Sequence, residues 1–402
     1  MSMIPTVRYS FLQGSYWCSF SVAYCFVSVF LLANGYTNSE IGLVFAIGGF
    51  SAAILQPLIG NHINEYGKIT MRRVIMVGAV FIMICAAMLC IFSEKQFLLG
   101  TLFCLVTIGL QTLMPFVNAV CMECINRGIS VNFGLARGIG SICYAAASYA
   151  IGKLISIYNE GVLPYCIIGS FVLVYIAAFF FTYKSLEGQR NTSVQSENIK
   201  NEPEFSPVDA NRRKSFFKKY PRFLVFLIGV CLIFITHNII NTYLFQICQS
   251  LGGGAEEYGA ASSLSAAIEL PTMLLFSQLI IRIKSNRLVQ ISAAFFALKA
   301  VMHLYASGIF GIYLAQLPQI LGFALFIPAS TYYANEIMHR RDGAKGQTYL
   351  ISANTIGCVI GSSLGGMILD RFGINIMLIV AIITSVLGFL FFIIGTQEAE
   401  TA

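Results

Sequence analysis

Ser130–Gly152 reads SVNFGLARGIGSICYAAASYAIG, an apolar run of small residues with one fixed charge, Arg137. The run is long enough to cross a bilayer as a helix. Its glycines and alanines (Gly134, Gly138, Gly140, Ala145, Ala146, Ala147, Gly152) let neighbouring helices approach closely. A guanidinium in such a helix is costly to bury, so it is expected to face a bundle interior or a water-filled cavity and to mark a function. Tyr144 follows two helical turns later on the same face. An arginine fork above an aromatic ring suits a flat, hydroxyl-rich molecule. The fork donates paired hydrogen bonds, and the ring covers an apolar face. The plain alternative is that Arg137 pairs with an acid and only holds the bundle together.

The rest of the chain carries the same signature. Of its 402 residues, 57% are hydrophobic and only 11% charged, whereas a soluble domain holds about 25% charged residues. The composition is that of a polytopic membrane protein. The apolar stretch after Met1–Ser10 is too long for the core of a cleavable signal, so none is expected. The net charge of +7 clusters between apolar runs and gives no reason to expect nucleic acid. The twelve cysteines fall within those runs and read as small apolar packing residues.

Charge-poor runs predict twelve spans, at about 9–33, 39–61, 73–93, 96–125, 131–157, 162–184, 221–249, 257–282, 287–306, 309–336, 345–369 and 373–396. The expected fold is therefore all-α, with twelve transmembrane helices in two pseudo-symmetric six-helix bundles, 1–184 and 221–402. Between them, 185–220 reads as a disordered cytoplasmic linker. Its basic end (Arg212, Arg213, Lys214, Lys218, Lys219) would lie on an anionic leaflet. With the N-terminus cytoplasmic, 20 of the 25 lysines and arginines fall on the cytoplasmic side. That asymmetry predicts both termini in the cytoplasm. A basic turn after the second span of each half (QPLIGNHINEYGKITMRR, SQLIIRIKSNR) suggests an internal repeat, and with it a rocking transporter whose site lies between the halves.

Several segments resemble a known family. Gln56–Arg73 resembles the loop 2–3 motif of the major facilitator superfamily, with Gly60, Gly67 and the basic end in place and Asn64 where the motif has aspartate. Asn132–Gly140, NFGLARGIG, resembles the span-5 signature of the lactose permease-like oligosaccharide:proton symporters. Glu269-Leu-Pro and KGQTYL (Lys345–Leu350) resemble the same branch. The resemblance implies that Arg137 anchors a sugar, that Tyr144 stands where the family stacks a tryptophan on the sugar ring, and that Glu269 accepts sugar hydroxyls. It places Lys299 in the polar cavity and Gln246 near an amide that contacts sugar. The departures are specific. Asn118 replaces a second sugar-binding glutamate, and Asn238 and Asn241 replace two aspartates. Gln316, Gln319 and Gly322 stand where the family has lysine, histidine and the proton-carrying glutamate. Loss of both members of an ion pair leaves no unpaired buried charge. Loss of the glutamate means that proton coupling cannot simply be inherited.

The ionisable residues singled out within the spans, histidine aside, are Glu123, Arg137, Glu269 and Lys299, two acids and two bases. A balanced set is what burial favours, with Glu269 facing Lys299 and Glu123 facing Arg137 as expected pairs. Glu269 is the expected substrate acceptor and proton carrier, because a carboxylate's protonation depends on whether it faces a dry pocket or a cation. Lys299, Glu123 and His303 are candidates to assist it. A permanent Glu269–Lys299 pair and an i, i+4 bridge from Glu123 to Arg127 are the structural alternatives. A histidine bonded to a neighbouring helix is the alternative for His303. The amides Asn118, Asn238, Asn241, Gln246, Gln316 and Gln319 would line a cavity for a neutral polyhydroxylated solute, since each both donates and accepts. Trp17 reads equally as packing or as a platform.

The sequence thus points to a secondary active transporter of a sugar or similar neutral polar solute, working by alternating access with proton symport. A facilitator, a carrier of nucleosides and a non-transporting sensor are the alternatives. It contains no HExxH, nucleophile elbow or Walker loop, so neither enzymatic activity nor a cofactor is expected. The expected partners are the solute, protons and the lipid bilayer. The protein is expected as a monomer in a bacterial inner membrane.

Overall fold

A computed structural model of the chain describes residues 4–66, 70–92, 96–181, 216–339 and 342–396. Among these residues, eleven helical stretches are long and apolar enough to cross a membrane. Ten of them match the first ten expected spans. They are α1 (Pro5–Ala33), α2 (Asn38–Ile63), α3 (Met71–Ile91), α4 (Gln96–Ile125), α5 (Phe133–Tyr158), α6 (Glu160–Phe180), α7 (Pro221–Thr242), α8 (Ala255–Arg282), α9 (Ser285–Leu304) and α10 (Ile309–Glu336).

The eleventh, Lys345–Gly395, has 51 residues. Straight, it would measure about 77 Å, more than twice a hydrocarbon core of about 30 Å. It folds back at Gly373, whose φ of 79° and ψ of 177° suit a residue without a side chain. The two limbs, α11 (345–372) and α12 (374–395), run in opposite directions along α7. In α11, Gly357 abuts Cys231 and Gly365 abuts Tyr243; in α12, Gly388 abuts Ile233 and Gly395 abuts Phe226. The twelve expected crossings are therefore present.

Most of the expected linker, including Arg212, Arg213 and Lys214, lies outside the described residues, as does the turn at 67–69 of the loop 2–3 motif. The basic end of that motif is tied down, because Arg72 Nη2 donates to the Phe179 carbonyl at 2.8 Å. The end of the expected disordered linker is instead ordered: 216–219 is a helical turn, and Lys219 Nζ and Tyr220 Oη both donate to Asp342, at 2.7 and 2.9 Å. The Lys219 bond, first among several partners, holds that carboxyl below the usual carboxylate range.

Local sequence sets the helix ends near the site. Asn132 caps α5 by accepting from Leu135 N at 2.9 Å. Glu257 turns back to accept from Gly254 N at 2.7 Å at the start of α8. Two helices are interrupted. A π-turn occupies Ser21–Cys25 in α1, and a 3-10 turn occupies Leu317–Ile320 in α10, where Pro318 has no N–H to continue the ladder.

The helices before and after the linker meet near the face opposite the termini. Gly152 of α5 lies so close to α8 that an added Cβ would sit 2.5 Å from the Ala255 carbonyl. Tyr258 Oη donates at 2.7 Å to the Cys25 carbonyl, in the π-turn. Asp370, at the end of α11, caps α2. It accepts from Asn38 N and Nδ2 at 3.1 and 2.8 Å, and from Ser39 N and Oγ at 2.7 and 2.5 Å.

Candidate functional site

Arg137 does not stand over Tyr144. Its guanidinium carbon lies 3.9 Å from the ring centroid of Trp17, and Nη1 donates to Ser141 Oγ at 2.9 Å. Gly140 makes room for this arrangement, because a Cβ there would meet Trp17 Cδ1 at 2.7 Å. The indole is held in turn. Its Nε1 donates to Gln13 Oε1 at 2.9 Å, and Gln13 Nε2 donates to Asn118 Oδ1 at 2.9 Å. Asn118 therefore acts on the site through Gln13 and Trp17. Tyr144 stands beside the platform. Its ring is 6.5 Å from Trp17 and edge-on to it, and its hydroxyl is 2.7 Å from Cys25 Sγ. Trp17 and Gln13 escape a search for charged residues. The visible signal was the lone tryptophan in the middle of a span, one turn after a glutamine.

The helices after the linker supply a continuous hydrogen-bonded row. Lys299 Nζ donates to Gln319 Oε1 at 2.8 Å, and Gln319 Nε2 donates to Glu269 Oε1 at 2.8 Å. On its other side, Lys299 Nζ donates to Asn241 Oδ1 at 3.4 Å, and Asn241 Nδ2 reaches His237 Nε2 at 2.8 Å. The expected contact between Glu269 and Lys299 is thus made through an amide. The 3-10 turn puts Gln319 in place, since it lies in the interrupted segment beside Pro318. At the end of the same break, the Gly322 carbonyl accepts from Ser292 Oγ at 2.8 Å. Glu269 also interacts electrostatically with Arg137, across from the other set of helices.

Two sequence alternatives are decided and one placement differs from expectation. Glu123 does not pair with Arg137; it bridges to Arg127 one turn on at 2.7 Å, partly in solvent. His303 takes the alternative of a histidine bonded to a neighbouring helix. One ring nitrogen is 2.8 Å from the Lys299 carbonyl and the other 3.2 Å from Gln316 Nε2, so both are occupied within α9 and α10. Gln246 lies away from the row, donating at 2.9 Å to Asn38 Oδ1 beside the Asp370 cap. Arg137, Trp17, Glu269, Gln319, Lys299 and Asn241 are thus the candidate site residues, with Asn118 behind them and Tyr144 at their edge.

The arrangement can hold a polar molecule by its edges. Arg137 offers a fork whose plane is fixed by the indole, and Glu269, Gln319 and Asn241 offer acceptors and donors opposite. The described residues contain no cluster of three or more metal-ligating side chains.

A family model described as the MFS_1 like family matches residues 7–380. A comparison with curated proteins finds no match. Among solved structures, the nucleoside transporter NupG is similar over 99% of this chain and 100% of its own, with a TM-score of 0.76 at 16% identity. A point mutant of NupG gives a TM-score of 0.78 at 13% identity, covering 97% of this chain and 98% of that one. A bacterial homologue of the iron transporter ferroportin, in an inward-facing state, is similar over 99% of this chain and 100% of its own, with a TM-score of 0.71 at 13% identity. At these identities the likeness carries the fold, and the family match carries the rest. The chain belongs to the MFS_1 like family of the major facilitator superfamily and is an integral membrane transporter.

Proposed function

We propose that this transporter carries a sugar or a similar polyhydroxylated solute by alternating access, in symport with a proton carried by Glu269. The observation that supports this reading is Arg137 seated on Trp17, facing the Glu269–Gln319–Lys299 row. A ring edge rich in hydroxyls can be shared between these two walls, each contributed by a different set of helices. Glu269 is the carboxylate that a solute would touch, and the Gln319 bridge places it in reach of the Lys299 charge. The close contacts between the two sets lie opposite the termini, which supports a resting form open on the termini side. The lysine and arginine asymmetry supports both termini in the cytoplasm, and the transporter is proposed as a monomer of a bacterial inner membrane.

A nucleoside is the second reading. The aromatic run Trp17, Phe20, Tyr24 and Phe45, with successive ring centroids 5.2, 5.0 and 4.9 Å apart, offers faces to a base, and NupG is a nucleoside transporter. Thermal stabilisation of the purified protein separates the readings, because a ligand of the folded state raises Tm. A sugar is expected to raise Tm for wild type and not for Arg137→Ala. A shift by nucleosides alone would overturn the sugar reading.

A further inference from the structure

The site's charges do not balance once Glu123 is removed from it. The sequence supplies two acids and two bases, but Glu123 is spent on Arg127. Among the described residues, Glu269 is the carboxylate that interacts with Arg137 and with Lys299. Neither cation is within ion-pair distance of it: Lys299 reaches it through Gln319, and Arg137 has a ring beneath it and a serine hydroxyl beside it. The amides behind them, Gln13, Asn118 and Asn241, are neutral, and the His237 and His303 rings, held by Asn241 and by the Lys299 carbonyl and Gln316, add no negative charge. Even with Glu269 ionised, the site keeps one uncompensated positive charge, a state that burial penalises unless a counter-charge arrives.

We infer that the missing counter-charge is on the solute, and that the transporter takes a polyhydroxylated monocarboxylate, a sugar acid, in preference to a neutral sugar. This rests on the transport reading above and refines the solute's charge. A carboxylate matches the planar Arg137 fork, which donates to two oxygens side by side. The indole beneath fixes that plane and leaves the donors not used by Ser141 to face the solute. One negative charge matches one surplus positive charge, whereas a phosphate dianion would leave the site negative. The hydroxyls of the solute fall to Glu269, Gln319 and Asn241.

The test is a thermal-shift titration of the purified protein with gluconate, glucose, uridine and acetate at matched ionic strength. Gluconate is expected to stabilise wild type at about one-tenth the concentration of glucose, the gain from one opposed charge in a partly dry site. Arg137→Gln is expected to lose that preference. Asn118→Asp restores an acid behind Trp17 at no change in size, and is expected to move the preference toward glucose. If glucose or uridine stabilises wild type as well as gluconate does, the charge inference falls while the transport reading stands. If acetate matches gluconate, the polyhydroxylated class falls. If none of the four shifts Tm, both readings fall.

Discussion

Gln319 is the residue on which the site turns. It is almost fully buried, and its amide joins a lysine to a glutamate with both of its polar atoms at 2.8 Å. An apolar side chain there leaves two buried charged groups short of a partner, which costs about 3 kcal/mol. Gln319→Leu is therefore expected to lower Tm and to abolish solute-induced stabilisation. An unchanged Tm would show that the two charges find other partners. Trp17 carries a different kind of weight, since a desolvated cation–ring contact contributes about 2 kcal/mol and depends on the face of the ring. Trp17→Phe keeps a weaker face and loses the Nε1 bond to Gln13. Its expected effect is a loss of about tenfold in solute affinity with little change in apo Tm, since about 1.4 kcal/mol is tenfold. An affinity unchanged in a titration of Trp17→Phe would make the indole simple packing.

At the scale of elements, closure is concentrated where helices of the two sets touch. Asp370 is a carboxylate at the N-terminus of α2, where unpaired N–H groups and the helix dipole both favour a negative charge. Asp370→Asn removes the charge and half of the acceptors, and is expected to weaken closure by about 1–2 kcal/mol. Cys25 is buried at the other contact between the two sets, under Tyr258, so if the whole face opens its alkylation rate, followed by mass spectrometry, is expected to rise about tenfold in the variant. An unchanged rate would mean that the cap does not govern opening. Gly42 is a second lever. A side chain there would run into the Ser362 carbonyl of α11. Gly42→Val is expected to hold the same face open and to raise Cys25 labelling further, while leaving the helical content measured by circular dichroism intact.

For the whole molecule, the two proposals about the site combine into a statement about charge movement. A monocarboxylate cancels the surplus positive charge while Glu269 is ionised, and the proton that Glu269 then takes up restores it, so a cycle that carries one monoanion and one proton moves no net charge. A transmembrane potential acts on a charge with about 2.3 kcal/mol per 100 mV, and on a neutral pair not at all. In proteoliposomes, gluconate uptake is expected to follow an imposed pH gradient and to ignore an imposed potential set with potassium and valinomycin. Uptake driven by the potential would contradict one-to-one coupling of a monoanion and a proton. Glu269→Gln is expected to retain exchange of solute for solute and to lose the response to the pH gradient.

Hydrophobic length and charge placement determined the architecture without help from packing, because a span must satisfy its own backbone in lipid and therefore declares itself as an unbroken apolar run. The twelve crossings were legible in this way, and Arg137, Glu269 and Lys299 stood out as charges within spans. Gly373 was legible only as an approximate boundary, since a helical reversal there needs φ 79° and leaves no charge in the pattern. Tertiary structure decided which groups meet. Trp17 and Tyr144 are both aromatic and both near Arg137 in the bundle, and only the room left at Gly140 puts the indole beneath the guanidinium. Glu123 had two basic partners on paper, and its own helix supplies the nearer one. Gln319 reads as one amide among several until the 3-10 turn at Pro318 sets it between Lys299 and Glu269. Periodicity along one helix cannot specify a distance between two helices. The balance of charge in this site is a sum over α5, α8 and α9, so it exists only once those helices are packed.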